Sequence, residues 1–392
     1  MKTYILLFGI TGDLSKRMLL PSIEWLLKNN KIEVEHVYGV SRRELEVNDI
    51  LSQSLKDEAN TCIIKDKISG VKLSDNITDY VAFKNTLNLQ DADQLLIYLS
   101  VPPANAMEYV KLLGQAGLNT SNIKLMLEKP FGTNLESAQE FLNAIDLFYK
   151  EEQVYKIDHY LAKQNSQSLI EYRKQIGWNW NMVSEIEIIA TEILDIQGRG
   201  IFYEQTGALC DFIQGHLMEL LLLTICDLDG DILKARADAI KNLSLIRAIR
   251  GQYDGYKEEV ANHTSNVETY ASVELNSNVY SLKNIRIKLT TGKALSHKES
   301  SIKIYFNDGS YTKIMITPAM PMPNDFISKK ECFDGYKGVF YCAINSNKIP
   351  FSTNVEILTS WMIFKPILSK WANNNIGLIS YKKGAMAVEE TL

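Results

Sequence analysis

Cysteine and histidine are both scarce in this chain. The five cysteines, Cys62, Cys210, Cys226, Cys332 and Cys342, are odd in number, widely scattered and form no C-x-x-C pair. That pattern speaks against a disulfide framework or a zinc ribbon, and fits a reducing, cytoplasmic protein that uses no metal. A basic surplus is also missing: 42 Lys and Arg against 47 Asp and Glu leave a formal net charge of −5 and a pI near 5.7. No global field draws such a chain to nucleic acid or anionic lipid, so an anionic ligand must be held by a local basic cluster. The longest apolar run, "LLLLTIC" at 220–226 with its flanks, is too short to be expected to span a bilayer. The opening "MKTYILLFGI" stops at Thr11-Gly12-Asp13 without a cleavage region, and reads as a buried strand rather than a signal peptide.

What is present is the composition of an ordinary globular protein, 46% hydrophobic and 23% charged over 392 residues. One hydrophobic core rarely serves that length, so two domains are expected. From Thr3 to about Tyr155 short apolar runs alternate with amphipathic stretches: "YILLFGI", "LLPSIEWLLKN", "VEHVYGV", "DQLLIYLSV", "ANAMEYVKLLGQ" and "NIKLMLEKP". Buried strands separated by helices imply right-handed βαβ units and a parallel sheet. After Tyr160 long helical patterns mix with alternating segments such as "EIEIIATEI", "TYASVEL", "IRIKLTTG" and "SIKIYFND". The expectation is an α/β, Rossmann-like NADP-binding domain over 1–157, then an α+β domain over 158–392 built on a mainly antiparallel sheet. The proline-spaced "TPAMPMPND" at 317–325 reads as an exposed connection.

"LLFGITGDLSKRMLLPSIEWLL" is a strand, a glycine-bearing turn and a helix. Gly9 and Gly12 would let the backbone approach a pyrophosphate, and free amides at the helix start would attract its charge. The spacing G-x-x-G is shorter than G-x-G-x-x-G, and by itself says little more than that a turn is here. At the end of the second apolar run an NAD enzyme usually places an acid, but "VYGVSRRE" places Ser41, Arg42 and Arg43. A guanidinium fork suits a 2′-phosphate, so NADP is expected.

In "LMLEKPFGTNLESAQEF" an apolar strand delivers Glu128, Lys129 and Pro130 to its carboxyl end, where ligands of open α/β sheets collect. The stretch "YKIDHYLAKQ" packs Asp158, His159, Tyr160 and Lys163 together. Were a helix to begin at Asp158, His159 and Lys163 would stand at i and i+4 on one face, a sound phosphate site; a plain polar turn is the competing reading. His216 and Asp211 share the apolar helical stretch "GALCDFIQGHLMELLLL". A lone histidine there is more often a core residue, whereas an acid-paired one would be a general base.

Together these stretches resemble the glucose-6-phosphate dehydrogenase family. The resemblance is carried by "GITGDLSKRMLLPSI", "GVSRREL", "YLSVPP", "EKPFGTNLESA", "KIDHYLAKQ", "GRGIFYEQTGALCDFIQGHL", "RGQYDGYKEEV", "ETYASVEL", "TTGKALSHK" and "NVEILTSWMIFKPIL". Most specific is D-H-Y-L-x-K followed by Y-x-x-x-G-A and D-x-x-x-x-H-L. The resemblance implies oxidation of glucose 6-phosphate at C1 with NADP, with His216 as base and Asp158 as its partner. It further implies that His159, Tyr160 and Lys163 hold the phosphate, that Lys129 contacts substrate and cofactor, and that Glu192, Asp211 and Lys293 contact the sugar, with Lys298 nearby. Gly9, Ile10, Thr11, Gly12, Asp13, Leu14, Ser15, Lys16 and Arg42 would bind NADP. No metal is implied, the partner is a small sugar phosphate, and the family suggests a homodimer. Departures from the pattern are Lys156, Ala162, Cys210 and Gly215, and shortening near Lys56 to Asp79 and between Phe306 and Asp334. They leave open another hexose 6-phosphate, such as an amino sugar phosphate. A non-catalytic NADP-binding regulator is a separate alternative, against which the joint presence of the base, its acid and the phosphate ligands speaks.

Overall fold

The computed structural model describes residues 1–56, 61–372, 377–386 and 388. They form two compact units: Met1–Gly132 with Glu136–Ala162 and Phe333–Asn354, and Thr133–Leu135 with Lys163–Cys332 and the segment from Val355 onward.

In the first unit β1 (Thr3–Phe8), β2 (His36–Ser41), β3 (Ile68–Lys72), β4 (Gln94–Leu99), β5 (Ile123–Leu127) and β6 (Val154–Ile157) lie in the order β6-β5-β4-β1-β2-β3, every pair parallel. A short strand, Phe351–Ser352, adds antiparallel to β6. The order reverses between β1 and β4, which makes the carboxyl end of β1 the place where such sheets bind ligands. All six residues of β4 are buried, as expected of a central strand covered on both faces.

Phe333–Asn354 returns to this unit, so its composition differs from the simple division at 157/158 expected from the sequence. Its helix Tyr336–Ile344 sets Phe340 against Tyr98 with ring centroids 5.5 Å apart, and Phe333 against Trp25 at 5.6 Å. Lys124 Nζ donates to the carbonyls of Ala343 (2.6 Å) and Ile344 (3.2 Å), capping the end of that helix. Lys348 Nζ donates to the carbonyls of Glu151 (3.1 Å) and Glu152 (3.3 Å) and lies 4.2 Å from the Tyr155 ring centroid. Burial lowers the two ammonium groups, Lys124 to about 8 and Lys348 to about 7.

The second unit holds β7 (Val183–Thr191), β8 (Leu243–Tyr253), β9 (Tyr270–Ser277), β10 (Arg286–Gly292), β11 (Glu299–Phe306) and β12 (Tyr311–Thr317), in the order β12-β11-β7-β10-β9-β8. The C-terminal strand Leu378–Tyr381 runs parallel to β8, and β7 parallel to β10; the other pairs are antiparallel. Side chains alternate across the sheet. Ile186, Ile188, Val273, Ile287, Leu289, Ile302 and Ile304 are buried on one face, and Glu185, Glu187, Glu274, Arg286 and Lys288 pair on the other.

The helical run Gly200–Ile225 is long and apolar enough to cross a membrane by length and composition, contrary to the expectation for the apolar run it contains. Yet 78% of its apolar window is buried within the fold, and Gly207, at φ 62° and ψ 175°, breaks the run. It is a core helix, and it packs beside a buried charge triad. Arg236, fully buried, donates from Nη2 to Glu219 Oε2 at 2.7 Å, and its Nε lies 2.7 Å from Glu356 Oε1. Removing the cation would strand two buried carboxylates, so Arg236→Met should destabilise the protein by about 3–5 kcal/mol. A lower urea midpoint with an unchanged slope checks this; an unshifted midpoint would count against it.

Candidate active site

The turn after β1 is built by two glycines. Gly9 sits at φ 69°, and a Cβ on it would fall 2.1 Å from the carbonyl oxygen of Ser100. Only glycine lets the β1 turn pass so close to the end of β4. The Ile10 side chain, fully buried, rests where a Cβ on Gly39 of β2 would be, 2.2 Å from Ile10 Cδ1. The chain is helical over 13–28. Gly12 N donates to Gly9 O at 2.9 Å and Ser15 Oγ to the same carbonyl at 2.8 Å, which closes the loop on itself. Thr11 and Asp13 are exposed and Gly12 and Leu14 partly so. Lys16 Nζ donates to Gln53 Oε1 at 2.7 Å, so it turns toward the helix Val47–Leu55. Arg42 is exposed just past β2; burial raises the Tyr109 phenol above its ordinary range, and the Arg42 charge partly opposes that rise. A tight glycine turn at a helix start, with an arginine rather than an acid directly after β2, fits the pyrophosphate and 2′-phosphate of a dinucleotide.

Lys129 and Asp158 follow β5 and β6 and meet. Lys129 Nζ donates to Asp158 Oδ2; Asp158 is fully buried, and its Oδ1 accepts from Tyr160 N at 2.8 Å and Leu161 N at 3.2 Å. The Lys129-Pro130 peptide is cis.

Asp158 thereby shapes a turn instead of opening a helix. Residues 159–162 form that turn, Lys163 follows in extended backbone as N-cap, and the helix begins at Gln164. The expected i, i+4 placement of His159 and Lys163 on one helical face does not occur. The physical reason is that both Asp158 oxygens are engaged locally, one by the turn's amides and one by Lys129. His159 and Tyr160 lie edge to face with ring centroids 5.2 Å apart.

In the second unit Lys293 Nζ donates to Glu192 Oε2, and the ammonium lies 5.8 Å from the Tyr203 ring centroid and 5.7 Å from that of Phe212. Two main-chain bonds hold the acid's end of β7 in place: Glu192 N donates to Gly292 O and Leu295 N to Glu192 O, each at 2.9 Å. Asp211 and His216 stand on the π-helical segment Leu209–Leu217, with His216 buried and edge to face with Phe212 at 5.4 Å. Burial raises the Asp211 carboxyl above its ordinary range, and the nearby Lys293 charge pulls it back. Lys298 is exposed, just before β11. The structure thus gathers Glu192, Lys293, Asp211 and His216 in one unit, and Lys129, Asp158, His159 and Tyr160 in the other.

The match to known proteins runs the length of both units. The family profile described as "Glucose-6-phosphate dehydrogenase, NAD binding domain" matches residues 6–168, and that described as "Glucose-6-phosphate dehydrogenase, C-terminal domain" matches 174–325. A glucose-6-phosphate 1-dehydrogenase of Helicobacter pylori is 30% identical over 99% of this chain and 98% of its own length. The chain belongs to the glucose-6-phosphate dehydrogenase family. Another relative, the Dickeya dadantii glucose-6-phosphate 1-dehydrogenase, is 30% identical over 78% of this chain and 70% of its own. Among solved structures, the glucose-6-phosphate 1-dehydrogenase from Mycobacterium avium is 24% identical with a TM-score of 0.84, covering 98% of this chain and 94% of its own. A glucose-6-phosphate dehydrogenase in complex with glucose 6-phosphate is 21% identical with a TM-score of 0.88, covering 99% and 96%. At these identities the two structures establish the fold of this family member.

Sequence reasoning gave no role to Glu128, although it stands in the E-K-P run. Its carboxyl accepts from the Tyr98 hydroxyl, at the end of β4, and from Tyr336, which arrives with the returning helix. Burial pushes it up to about 7 from an ordinary 4.5, the two phenols and Lys129 oppose that, and Asp158 adds to it. Tyr336 lies too far along the chain for any local pattern to announce it.

Two outcomes follow from this geometry. Gly9→Ala should abolish NADP binding in a fluorescence titration, whereas wild-type affinity in that variant would mean that the turn tolerates a side chain. For Glu128, the folded protein holds a proton that the unfolded chain has lost between pH 4.5 and about 7. Its contribution to stability therefore falls as pH rises through that window. Glu128→Gln should flatten the change by on the order of 1–2 kcal/mol between about pH 5 and about pH 8 in urea titrations, and identical pH slopes would contradict the shift.

Proposed function

We propose that this chain oxidises glucose 6-phosphate at C1 to 6-phosphogluconolactone with NADP as hydride acceptor. The observation that carries the reading is that the family match spans both units; the residue roles that follow are assigned on the resemblance of the motifs that hold them. His216 takes the proton from the C1 hydroxyl, which leaves the developing carbonyl free to expel its hydride. On the family resemblance, Asp158 is assigned as the acid partner of that base. Glu192, Asp211 and Lys293 hold the ring hydroxyls, with Lys298 nearby, and His159, Tyr160 and Lys163 hold the phosphate.

Lys129 touches both reactants, and its contact with Asp158 keeps its ammonium at the strand ends. The loop from Gly9 through Ile10, Thr11, Gly12, Asp13, Leu14 and Ser15 to Lys16 holds the pyrophosphate, and Arg42 the 2′-phosphate. Bound NADP supplies the electron-pair acceptor that no side chain offers. Cys210 and Gly215, which depart from the family pattern beside Asp211 and His216, favour a second reading in which another hexose 6-phosphate, such as an amino sugar phosphate, is the better substrate. We also propose a cytoplasmic homodimer, on the thiol pattern and the family.

Purified protein given NADP and a panel of hexose 6-phosphates should generate reduced-nicotinamide absorbance, most efficiently with glucose 6-phosphate. A clear preference for an amino sugar phosphate would select the second reading, and NADP binding without any turnover would select a regulator. His216→Asn should lower kcat by about 10²–10⁴-fold while leaving NADP affinity unchanged; unchanged turnover removes His216 from the role.

A further inference from the structure

The π-helical segment that carries Asp211 and His216 begins at a break in the chain. The preceding helix Gly200–Ala208 is interrupted at Gly207, whose φ of 62° and ψ of 175° belong to backbone space that side-chain-bearing residues avoid. Glu268, from the stretch just before β9, fills the space beside that break. A Cβ on Gly207 would fall 2.4 Å from Glu268 Oε1.

Glu268 also serves the amides that open the segment. Its main-chain oxygen accepts from Ala208 N at 2.9 Å and its Oε1 from Leu209 N at 3.0 Å. Amides in a first turn have no partner within their own helix, and no side chain of the N-cap residue Ala208 can serve them. The cap comes from 59 residues away in sequence. Farther along the segment Ser360 Oγ donates to Gln214 O at 2.5 Å, so the stretch bearing Asp211 and His216 is pinned at two points.

Glu268 is buried, and the titratable groups facing it are Tyr203 from the broken helix, Cys210 from the π-helical segment, Arg250 from β8, and Tyr256. Burial pushes its carboxyl up to about 7, opposed first by the Leu209 amide. Both forms are therefore populated near neutral pH. The ionised one makes the stronger, charge-assisted bond.

We propose that ionised Glu268 is a positioning residue of this enzyme: through the Gly207 break it fixes the start of Leu209–Leu217, and so sets where Asp211 and His216 meet the sugar. This rests on the reading of His216 as the base. Small displacements of reacting groups cost up to about 10²-fold in rate, so a cap that never touches substrate still sets turnover.

The test is kcat for glucose 6-phosphate across pH, alongside NADP affinity, in Glu268→Gln, Glu268→Ala and Gly207→Ala. Glutamine keeps an acceptor and loses the charge. The wild-type to Glu268→Gln ratio of kcat should lie near unity at about pH 6 and rise roughly fivefold by about pH 8, because wild type then carries the charge that glutamine lacks. Glu268→Ala and Gly207→Ala should each lose about 10- to 100-fold in kcat with NADP affinity held within about twofold.

A pH-independent ratio overturns the proposal, as does wild-type kcat in Glu268→Ala. Should the alanine variants fail to fold, the glutamine ratio decides alone. Failure of the parent reading would be seen differently, in wild type lacking turnover or in His216→Asn retaining it. Failure of this proposal leaves both of those as expected and only the Glu268 variants indifferent.

Discussion

The six principal strands of the first unit all run the same way, and much of what this protein does follows from that constraint. The paired positions Phe8 with Val40, Phe8 with Leu99, Leu99 with Leu127 and Leu127 with Lys156 bring their carboxyl ends level. One edge therefore collects the Gly9 turn, Arg42, Tyr98, Lys129 and Asp158. Charge gathered at one edge must be paired or hydrogen-bonded there: Lys129 pairs with Asp158, and two phenols donate to Glu128.

The second unit meets a different constraint. Its sheet is apolar on one face and charged on the other, so the helix carrying His216 is held against the apolar side among Leu217, Leu220 and Leu221, all fully buried. An imidazole in such a place needs its position set from outside the helix. The break at Gly207 and the carboxylate of Glu268 do that at one end, and the Ser360 hydroxyl at the other. The Arg236 triad sits deeper on the same core helix and anchors it with paired charge.

Much of this was legible in the sequence, for reasons of burial. Strands β1, β2, β4 and β5 showed as apolar runs because a covered parallel sheet demands them. Strand β3 did not, since "ISGVK" is short and half exposed. Strand β8 was hidden by its exposed centre and the register shift between Leu245 and Arg247, and β12 by its largely uncovered start. The return of Phe333–Asn354 to the first unit depends on Lys124 and Lys348 reaching distant carbonyls, which no local spacing records. At the site, residue types were readable and geometry was not. Asp158 followed by His159 suggested a helix start, but a carboxylate that caps its own turn delays the helix to Gln164. Glu268 was visible only as an acid before a strand, and its role emerges from the Gly207 break.

Direct hydride transfer from C1 of glucose 6-phosphate to the cofactor is the reaction on which the proposed residue roles, His216 as base among them, depend. The decisive measurement uses glucose 6-phosphate carrying deuterium at C1, with the reduced cofactor examined by proton NMR after turnover. One deuterium at the nicotinamide C4 position, together with slowed turnover, is the predicted result. Reduced cofactor free of label, or no reduced cofactor at all, would contradict it.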